Sequence, residues 1–167
     1  METERLYLRL ITIDDAEFLC QLMNTKKWHQ MIGDRKVYTT EDAITYMQER
    51  MDPDLSTKGF VNHVMVHKDT GDLIGTCSLH NREGVEGLDI GYALLSEYEG
   101  YGYATEGAKA MVDLAFSKYH VEYVSAITND DNVGSYKVLE KLGFKHAGYV
   151  RIQDSDDDIR LYILKKN

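Results

Sequence analysis

Residues 88–116, LDIGYALLSEYEGYGYATEGAKAMVDLAF, combine an apolar run, a pair of glycines and a helical pattern. The apolar run from Leu88 to Leu95 is typical of a strand that is buried on both faces. From Ala104 to Ala115, small and apolar residues recur at helical spacing, which indicates a long helix. Gly100 and Gly102 lie between the two patterns. The segment therefore predicts a strand, a tight glycine loop and a helix in direct succession.

A helix that begins directly after a glycine loop is a potential anion-binding site. The N–H groups of its first turn have no intrahelical acceptor, and the helix dipole adds about half a positive charge there. The loop is not a P-loop, because no Gly-Lys-Ser/Thr follows it. It is not a dinucleotide fingerprint either, because Thr105 stands where a third small residue is needed. A plain turn between strand and helix remains the alternative.

The length of 167 residues predicts a single domain over residues 1–167, with two domains as the alternative. Hydrophobic residues make up 43% and charged residues 28% of the chain, which are ordinary values for a globular protein. The net charge of −9 argues against nonspecific binding to nucleic acid, which needs a basic surface. No apolar run approaches the ~20 residues of a membrane span, and the N-terminus does not have the pattern of a signal peptide. We therefore expect a cytoplasmic protein without nucleic-acid or membrane partners.

The glycine loop resembles motif A of the GNAT acyltransferases, Gln/Arg-x-x-Gly-x-Gly/Ala, over residues 99–104. The run Asn132-x-x-Ser135-x-x-x-Leu139-Glu-Lys-Leu-Gly-Phe144 is similar to motif B of the same family. The opening Glu-Thr-Glu-Arg-Leu-Tyr-Leu-Arg resembles the start of the RimJ/RimL-like branch, several members of which acetylate protein N-termini. The resemblance extends from Glu2 to the C-terminus.

The resemblance implies the GNAT fold, an α/β fold with a mixed, mostly antiparallel sheet of about seven strands. The sheet is splayed between the central strand and the next, and about four helices flank it. Capping-box patterns at Thr12 and Thr39 predict helices that run to about Met23 and Met51. Alternation and turn residues predict the strands. They cover Arg5–Ile11, Phe60–His67, Leu73–His80, Leu88–Leu95, Val121–Thr128, Lys145–Ile152 and Ile159–Lys165.

The resemblance also implies that the protein binds acetyl-CoA as a co-substrate and needs no metal. The loop amides would hold the pyrophosphate, and the pantetheine arm would pair with free backbone around Leu94 and Leu95. A backbone amide there would also stabilise the oxyanion. Asn132 would contact the coenzyme, act as the helix N-cap, or do both. The implied coenzyme-binding residues are Leu94, Leu95, Gly100, Tyr101, Gly102, Tyr103, Ala104, Thr105 and Asn132.

The sequence departs from the family pattern at two positions. Glu99 stands where Gln or Arg is typical, and we expect its side chain to face solvent, away from the phosphates. Leu139 stands where many GNAT enzymes carry the tyrosine that protonates the thiolate. In RimJ/RimL-like proteins a serine at the position of Ser135 is a candidate acid instead. Helix packing or local capping is an equally good explanation of Ser135.

Two carboxylates are candidates for the general base. Asp89 lies in the central strand, where relatives often carry Glu, and Asp154 lies where the next-to-last strand ends. Either could act through water, or could merely pair with a neighbour or belong to a solvated loop. His80, at the end of a strand near the same region, is a weaker third candidate, because most lone histidines are structural.

The resemblance implies an N-acetyltransferase that acts by direct attack of a primary amine in a ternary complex. The acceptor would be a protein N-terminus, a polyamine, an aminoglycoside or a small amine. The alternatives are a CoA-binding protein of this fold without turnover and a nucleotide-phosphate binder. Residues 25–51 would cover the acceptor side, with Trp28 either lining the pocket or anchoring the segment. The oligomeric state, a homodimer included, stays open.

Overall fold

The chain forms seven strands and five helices in the part that the computed structural model describes, residues 1–51, 60–152 and 157–166. The strands are β1 (Leu6–Leu10), β2 (Phe60–His67), β3 (Leu73–His80), β4 (Leu88–Leu94), β5 (Tyr123–Thr128), β6 (Lys145–Val150) and β7 (Ile159–Lys165). The helices are α1 (Ala16–Met23), α2 (Lys26–Met31), α3 (Thr40–Arg50), α4 (Tyr103–Lys118) and α5 (Val133–Lys141). None of these helices is long and apolar enough to cross a membrane.

All seven strands belong to one sheet, in the order β1-β2-β3-β4-β5-β7-β6. Neighbouring strands are antiparallel except β4 and β5, which are parallel because α4 carries the chain from one to the other. The parallel ladder has only two residue pairs, Leu88 with Val124 and Asp89 with Ser125. Beyond them β4 and β5 diverge. The predicted mixed, splayed sheet is therefore confirmed.

Helices α4 and α5 cover one face of the sheet and enclose the larger core. Its fully buried side chains come from β1 to β5, from β7 and from both helices, among them Leu8, Leu79, Met111, Leu139 and Tyr162. Helix α4 lies very close to the strands, because a Cβ on Gly107 would be only 2.5 Å from Met65 Sδ. A larger residue at this point would push the helix away from the sheet.

Helices α1, α2 and α3 cover the opposite face. Their cores contain Leu19, Ala43 and Met47 between the helices, and Phe18 and Leu22 against the strands. Both predicted capping boxes are present, since Asp15 accepts a hydrogen bond from the Thr12 amide at 2.8 Å and Asp42 accepts one from the Thr39 amide at 2.9 Å. The first helix nevertheless begins as a short 3-10 turn and becomes α-helical only at Ala16.

Helix α2 is the element that raises the number of helices from about four to five. It spans only six residues, and the Thr25 hydroxyl caps it by accepting a hydrogen bond from the Trp28 amide at 3.2 Å. The sequence pattern is too short to show helical periodicity, so the segment is predicted only as part of a helical cover. The tertiary contacts of Trp28 stabilise it, because this side chain packs against both smaller cores.

Candidate active site

The glycine loop adopts a backbone shape that only glycine takes readily. Gly100 has a φ of 82° and Gly102 a φ of 88°, both in the left-handed region. Gly102 is the N-cap of α4 and has no side chain with which to cap it. In the described part of the chain, the amides of Tyr103, Ala104 and Thr105 have no acceptor. The first turn of α4 therefore presents free donors to a bound anion.

The segment that precedes β1 holds this loop through side-chain hydrogen bonds. The Arg5 guanidinium donates to Glu106 Oε2 through Nε at 2.8 Å and to the Tyr101 carbonyl through Nη1 at 2.9 Å. It also lies 4.5 Å from the centre of the Tyr103 ring. The Thr3 hydroxyl donates to Glu106 Oε1 at 2.6 Å. Burial by itself would raise the pKa of Glu106, but these hydrogen bonds lower it, so the carboxylate stays charged.

The gap between β4 and β5 leaves backbone groups of β4 without a strand partner. The Leu95 amide donates to the Ile74 carbonyl of β3 at 2.9 Å. Because backbone groups alternate along a strand, the N–H and C=O of Leu94 point the other way, into the gap. Leu94 and Leu95 are the two residues predicted to pair with the coenzyme. Of these, Leu94 has backbone groups that point into the gap. The amide of Leu95 is already used within the sheet.

The start of α5 lies against β4 at the same gap. The Asn132 side chain caps the helix, because its Oδ1 accepts a hydrogen bond from the Ser135 amide at 3.2 Å. The Tyr92 hydroxyl donates to the Ser135 carbonyl at 3.0 Å and lies 3.1 Å from Ser135 Oγ. Burial raises the pKa of Tyr92 to about 12, so its hydroxyl keeps its proton. Sequence reasoning missed this partner of Ser135, because the two residues are 43 positions apart.

Leu139, at the position of the missing tyrosine, is completely buried in the core beneath the sheet. It takes part in packing and has no group that could donate a proton. Helix α5 brings the Ser135 hydroxyl to the gap, where it lies 3.1 Å from the Tyr92 hydroxyl of β4. A proton donor for a leaving thiolate would therefore come from this pair.

Asp89 is 1% exposed and lies at the closed end of the gap, in the last residue pair shared by β4 and β5. Its two carboxylate oxygens lie 3.4 and 3.5 Å from the Arg82 guanidinium. Burial raises the pKa of Asp89 to about 6, and the Arg82 charge only partly opposes this. A carboxylate with this pKa is ionised at neutral pH and is a stronger base than an exposed one.

His80 is the residue opposite Asp89 in the β3–β4 ladder, and its Nε2 lies 2.8 Å from Ser78 Oγ. Burial lowers the pKa of His80 to about 3. The imidazole is therefore neutral and accepts a proton poorly, which makes Asp89 the better candidate base. Asp154, the other predicted base, lies outside the described residues.

The candidate acid and the candidate base lie on opposite faces of β4. Tyr92 packs with the core beneath α4 and α5, whereas Ala93 packs with the core beneath α1 and α2. Because side chains alternate along a strand, Asp89 points to the same face as Ala93. Tyr92 and Ser135 thus approach the gap from one side, and Asp89 from the other.

Glu99 does not simply face solvent. Its Oε2 lies 2.8 Å from the Nζ of Lys27, a residue of α2, and the Glu99 side chain is 32% exposed. The prediction for Glu99 was therefore incomplete, because the ion pair depends on a helix that the sequence pattern did not predict. Trp28 anchors α2 to the core, and its Nε1 is buried without a partner among the described residues.

No group of three His, Cys, Asp or Glu side chains in residues 1–51, 60–152 and 157–166 is arranged to hold a metal ion. The polar groups at the gap are instead backbone amides, two hydroxyls, an amide side chain and a carboxylate. Such a set can bind an anion and transfer protons.

Comparison with known proteins agrees with this arrangement. Residues 5–145 match the family model of the acetyltransferase (GNAT) domain. The chain is 30% identical over 151 residues to the uncharacterized N-acetyltransferase p20 of Bacillus licheniformis, covering 89% of this chain and 84% of p20. GNAT proteins use acetyl-CoA.

Two solved structures with low sequence identity show the same fold. The ribosomal-protein acetyltransferase RimL in complex with coenzyme A has a TM-score of 0.80 and 19% identity, over 98% of this chain and 95% of RimL. AAC(6')-Ib with ribostamycin and coenzyme A has a TM-score of 0.81 and 18% identity, over 98% and 94% of the two chains. From the family match and the relatives together, the chain belongs to the GNAT family and is an N-acetyltransferase.

Proposed function

We propose that the protein transfers the acetyl group of acetyl-CoA to a primary amine, by direct attack in a ternary complex. The observation that carries this proposal is the gap between β4 and β5, with free loop amides beside it and a candidate acid and base on its two sides. A thioester held in the gap would be open to attack from the opposite face of the sheet. Holding the two reactants together in this way can supply much of the rate.

The coenzyme would enter from the side of α4 and α5. The amides of Gly100 to Thr105 would bind its pyrophosphate, and the Leu94 backbone would pair with the pantetheine arm. Asn132 would contact the arm with the part of its amide that does not cap α5. The N–H of Leu94 points into the gap and is therefore the candidate donor to the oxyanion of the tetrahedral intermediate.

The acceptor would enter from the side of α1 to α3. Asp89, which is 1% exposed, would take the proton of the amine through water. The neutral amine attacks the thioester carbonyl, and the tetrahedral intermediate collapses with cleavage of the C–S bond. Ser135 Oγ gives its proton to the departing thiolate and regains one, through water, from the attacking nitrogen. The proton held by Asp89 is then released to solvent. RimL acts on a ribosomal protein and AAC(6')-Ib binds ribostamycin, so these folds accept different amines. A protein N-terminus, a polyamine, an aminoglycoside and a small amine are accordingly the acceptor classes to test.

Coenzyme binding is tested by thermal unfolding. We expect acetyl-CoA and CoA to raise the melting temperature with increasing concentration, because a ligand that binds only the folded state stabilises it. Dephospho-CoA should still bind, because it keeps the pyrophosphate, but more weakly, because it lacks the 3′-phosphate of CoA. No shift with either ligand at millimolar concentration would contradict the proposal, and a shift with ATP or NAD alone would indicate a nucleotide-phosphate binder.

Turnover is tested by release of free CoA thiol from acetyl-CoA with panels of amines and N-terminal peptides. We expect thiol release that depends on the acceptor. A protein that binds acetyl-CoA tightly but releases no thiol with any class of amine would be a CoA-binding protein without turnover.

The proton donor is tested with Ser135→Ala. The CoA thiolate has a pKa of roughly 8.5 by analogy with cysteine, so it leaves with little help. We therefore expect kcat to fall about ten- to a hundredfold, near the low end of acid catalysis, with little change in acetyl-CoA affinity. Tyr92→Phe should lower kcat by about tenfold, because it removes the hydroxyl beside Ser135 Oγ.

Tyr136→Phe is the matched control, since this residue follows Ser135 but its ring packs beneath Arg160. Its kcat should stay within about twofold of the wild-type value. If kcat is strongly reduced in Tyr136→Phe and normal in Ser135→Ala, Ser135 is not the proton donor. Normal rates in both would mean that water or the acceptor supplies the proton.

A further inference from the structure

Helix α2 places a lysine between the two elements that would frame the coenzyme. Lys27 Nζ lies 2.8 Å from Glu99 Oε2, at the start of the glycine loop. A Cβ built on Gly134, in the first turn of α5, would lie 4.0 Å from the same nitrogen. The ammonium group therefore spans from the loop that would bind the pyrophosphate to the helix that would contact the pantetheine arm.

Three contacts hold α2 in this position. The Thr25 hydroxyl caps its first turn, and Trp28 packs into the cores beneath α1 and α3. At its other end, the Asn129 side chain donates to the Met31 carbonyl at 3.1 Å, which ties α2 to the segment after β5. Lys27 thus projects from an element that is anchored on both sides of the gap.

The ion pair itself contributes little to stability. The Lys27 and Glu99 side chains are 46% and 32% exposed, and solvent screens the attraction in pairs this accessible. The charge of Lys27 should affect the affinity for an anionic ligand more than it affects stability. Without Lys27, the Glu99 carboxylate would repel a pyrophosphate held by the neighbouring amides, because like charges at a partly desolvated site are only weakly screened.

We propose that Lys27 is a further coenzyme-binding residue of this protein, which neutralises Glu99 and donates to the pyrophosphate. An ammonium group has three N–H donors, so it can contact Glu99 and a phosphate oxygen together. Lys27 thereby supplies from α2 the positive charge that an arginine at position 99 would supply from the loop itself. The inference rests on the proposed function, since it requires acetyl-CoA to be the ligand of the loop.

The test measures the dissociation constant of acetyl-CoA by isothermal titration calorimetry for single and double variants. We expect Lys27→Met to weaken binding by about tenfold, because Glu99 is then uncompensated. Glu99→Gln should bind as tightly as the wild type or more tightly, because Lys27 is then free for the phosphates. The double variant should bind more tightly than Lys27→Met, and the differences should shrink at high salt.

Lys26→Met is the matched control, because it removes the same charge from the neighbouring exposed position of α2. It should change the affinity by less than about twofold. A charge effect weakens binding in Lys27→Met but not in Glu99→Gln, which separates it from a structural effect. If the pair merely holds α2 in place, both variants weaken binding alike.

The outcomes separate this inference from the proposed function. A wild-type protein that does not bind acetyl-CoA at millimolar concentration overturns both. A wild-type protein that binds acetyl-CoA, together with a Lys27→Met variant of unchanged affinity, overturns the role of Lys27 alone.

Discussion

Gly102→Val should weaken the binding of acetyl-CoA by at least about a hundredfold. A β-branched side chain at a φ of 88° is strained by about 1–3 kcal/mol, and its Cβ would lie 3.4 Å from Arg5 Nη2. We expect the loop to relieve this strain by changing its backbone conformation. The first amides of α4 would then no longer point toward the pyrophosphate together. Calorimetric titration measures the affinity, and circular dichroism checks that the variant is folded.

Gly71→Val is the control for strain alone. Gly71 has a φ of 77° in the turn between β2 and β3, and a Cβ there meets nothing within 4 Å. The strain is similar but lies outside the loop, so this variant should lose stability and keep its coenzyme affinity. If Gly102→Val binds acetyl-CoA normally, the loop is only a turn.

Asp89→Asn should lower kcat/KM for the acceptor by at least about a hundredfold, because an amide cannot act as a base. The wild-type rate should rise with pH through about 6, as Asp89 loses its proton, and the variant should lack this rise. The affinity for acetyl-CoA should stay the same. The pH profiles of kcat/KM for both proteins measure the effect.

Arg82→Gln is a second test of the role of the Asp89 carboxylate. The positive charge of Arg82 lowers the pKa of Asp89 against the effect of burial. Removing that charge should therefore move the rise of the pH profile to higher pH without abolishing it. A profile that is identical in the wild type, Asp89→Asn and Arg82→Gln would assign the base to another residue.

Stability gives an independent check on Asp89→Asn. The pKa of Asp89 is raised from 3.8 to about 6 in the folded protein, so folding favours its protonated form. The contribution of Asp89 to the free energy of unfolding is fully present below pH 3.8 and is lost as pH rises through about 6. Asparagine does not ionise, so Asp89→Asn avoids this loss of stability at neutral pH. The melting temperature of the variant at pH 7.5 should therefore not fall below that of the wild type. Low activity in a variant that is as stable as the wild type would show that Asp89 acts in catalysis and not in folding.

The local parts of the candidate site were predictable from the sequence. The apolar run of β4, the glycines of the loop and the helical spacing of α4 lie within 29 consecutive residues, and each has its own pattern. The same holds for the Asn132 cap, which needs only a residue three positions away. Patterns of this kind reflect backbone preferences that act over a few residues.

The parts that escaped prediction depend on contacts between distant segments. Arg5 reaches Glu106 across 101 positions, and Tyr92 reaches Ser135 across 43. Lys27 meets Glu99 only because Trp28 anchors a helix too short to be recognised by periodicity. No local pattern reports such a pair, since each member alone has the composition of an ordinary strand, helix or loop residue.

The two-pair ladder between β4 and β5 also affects how the fold comes apart. It joins a four-stranded unit, β1 to β4, to a three-stranded unit made of β5, β7 and β6. Units that share so few hydrogen bonds open separately, at free energies below that of global unfolding. Helix α4 packs in one core with strands of both units and adds to their coupling. A coenzyme arm between β4 and β5 would add contacts between the units beyond the two-pair ladder, so that coenzyme binding would make unfolding more cooperative.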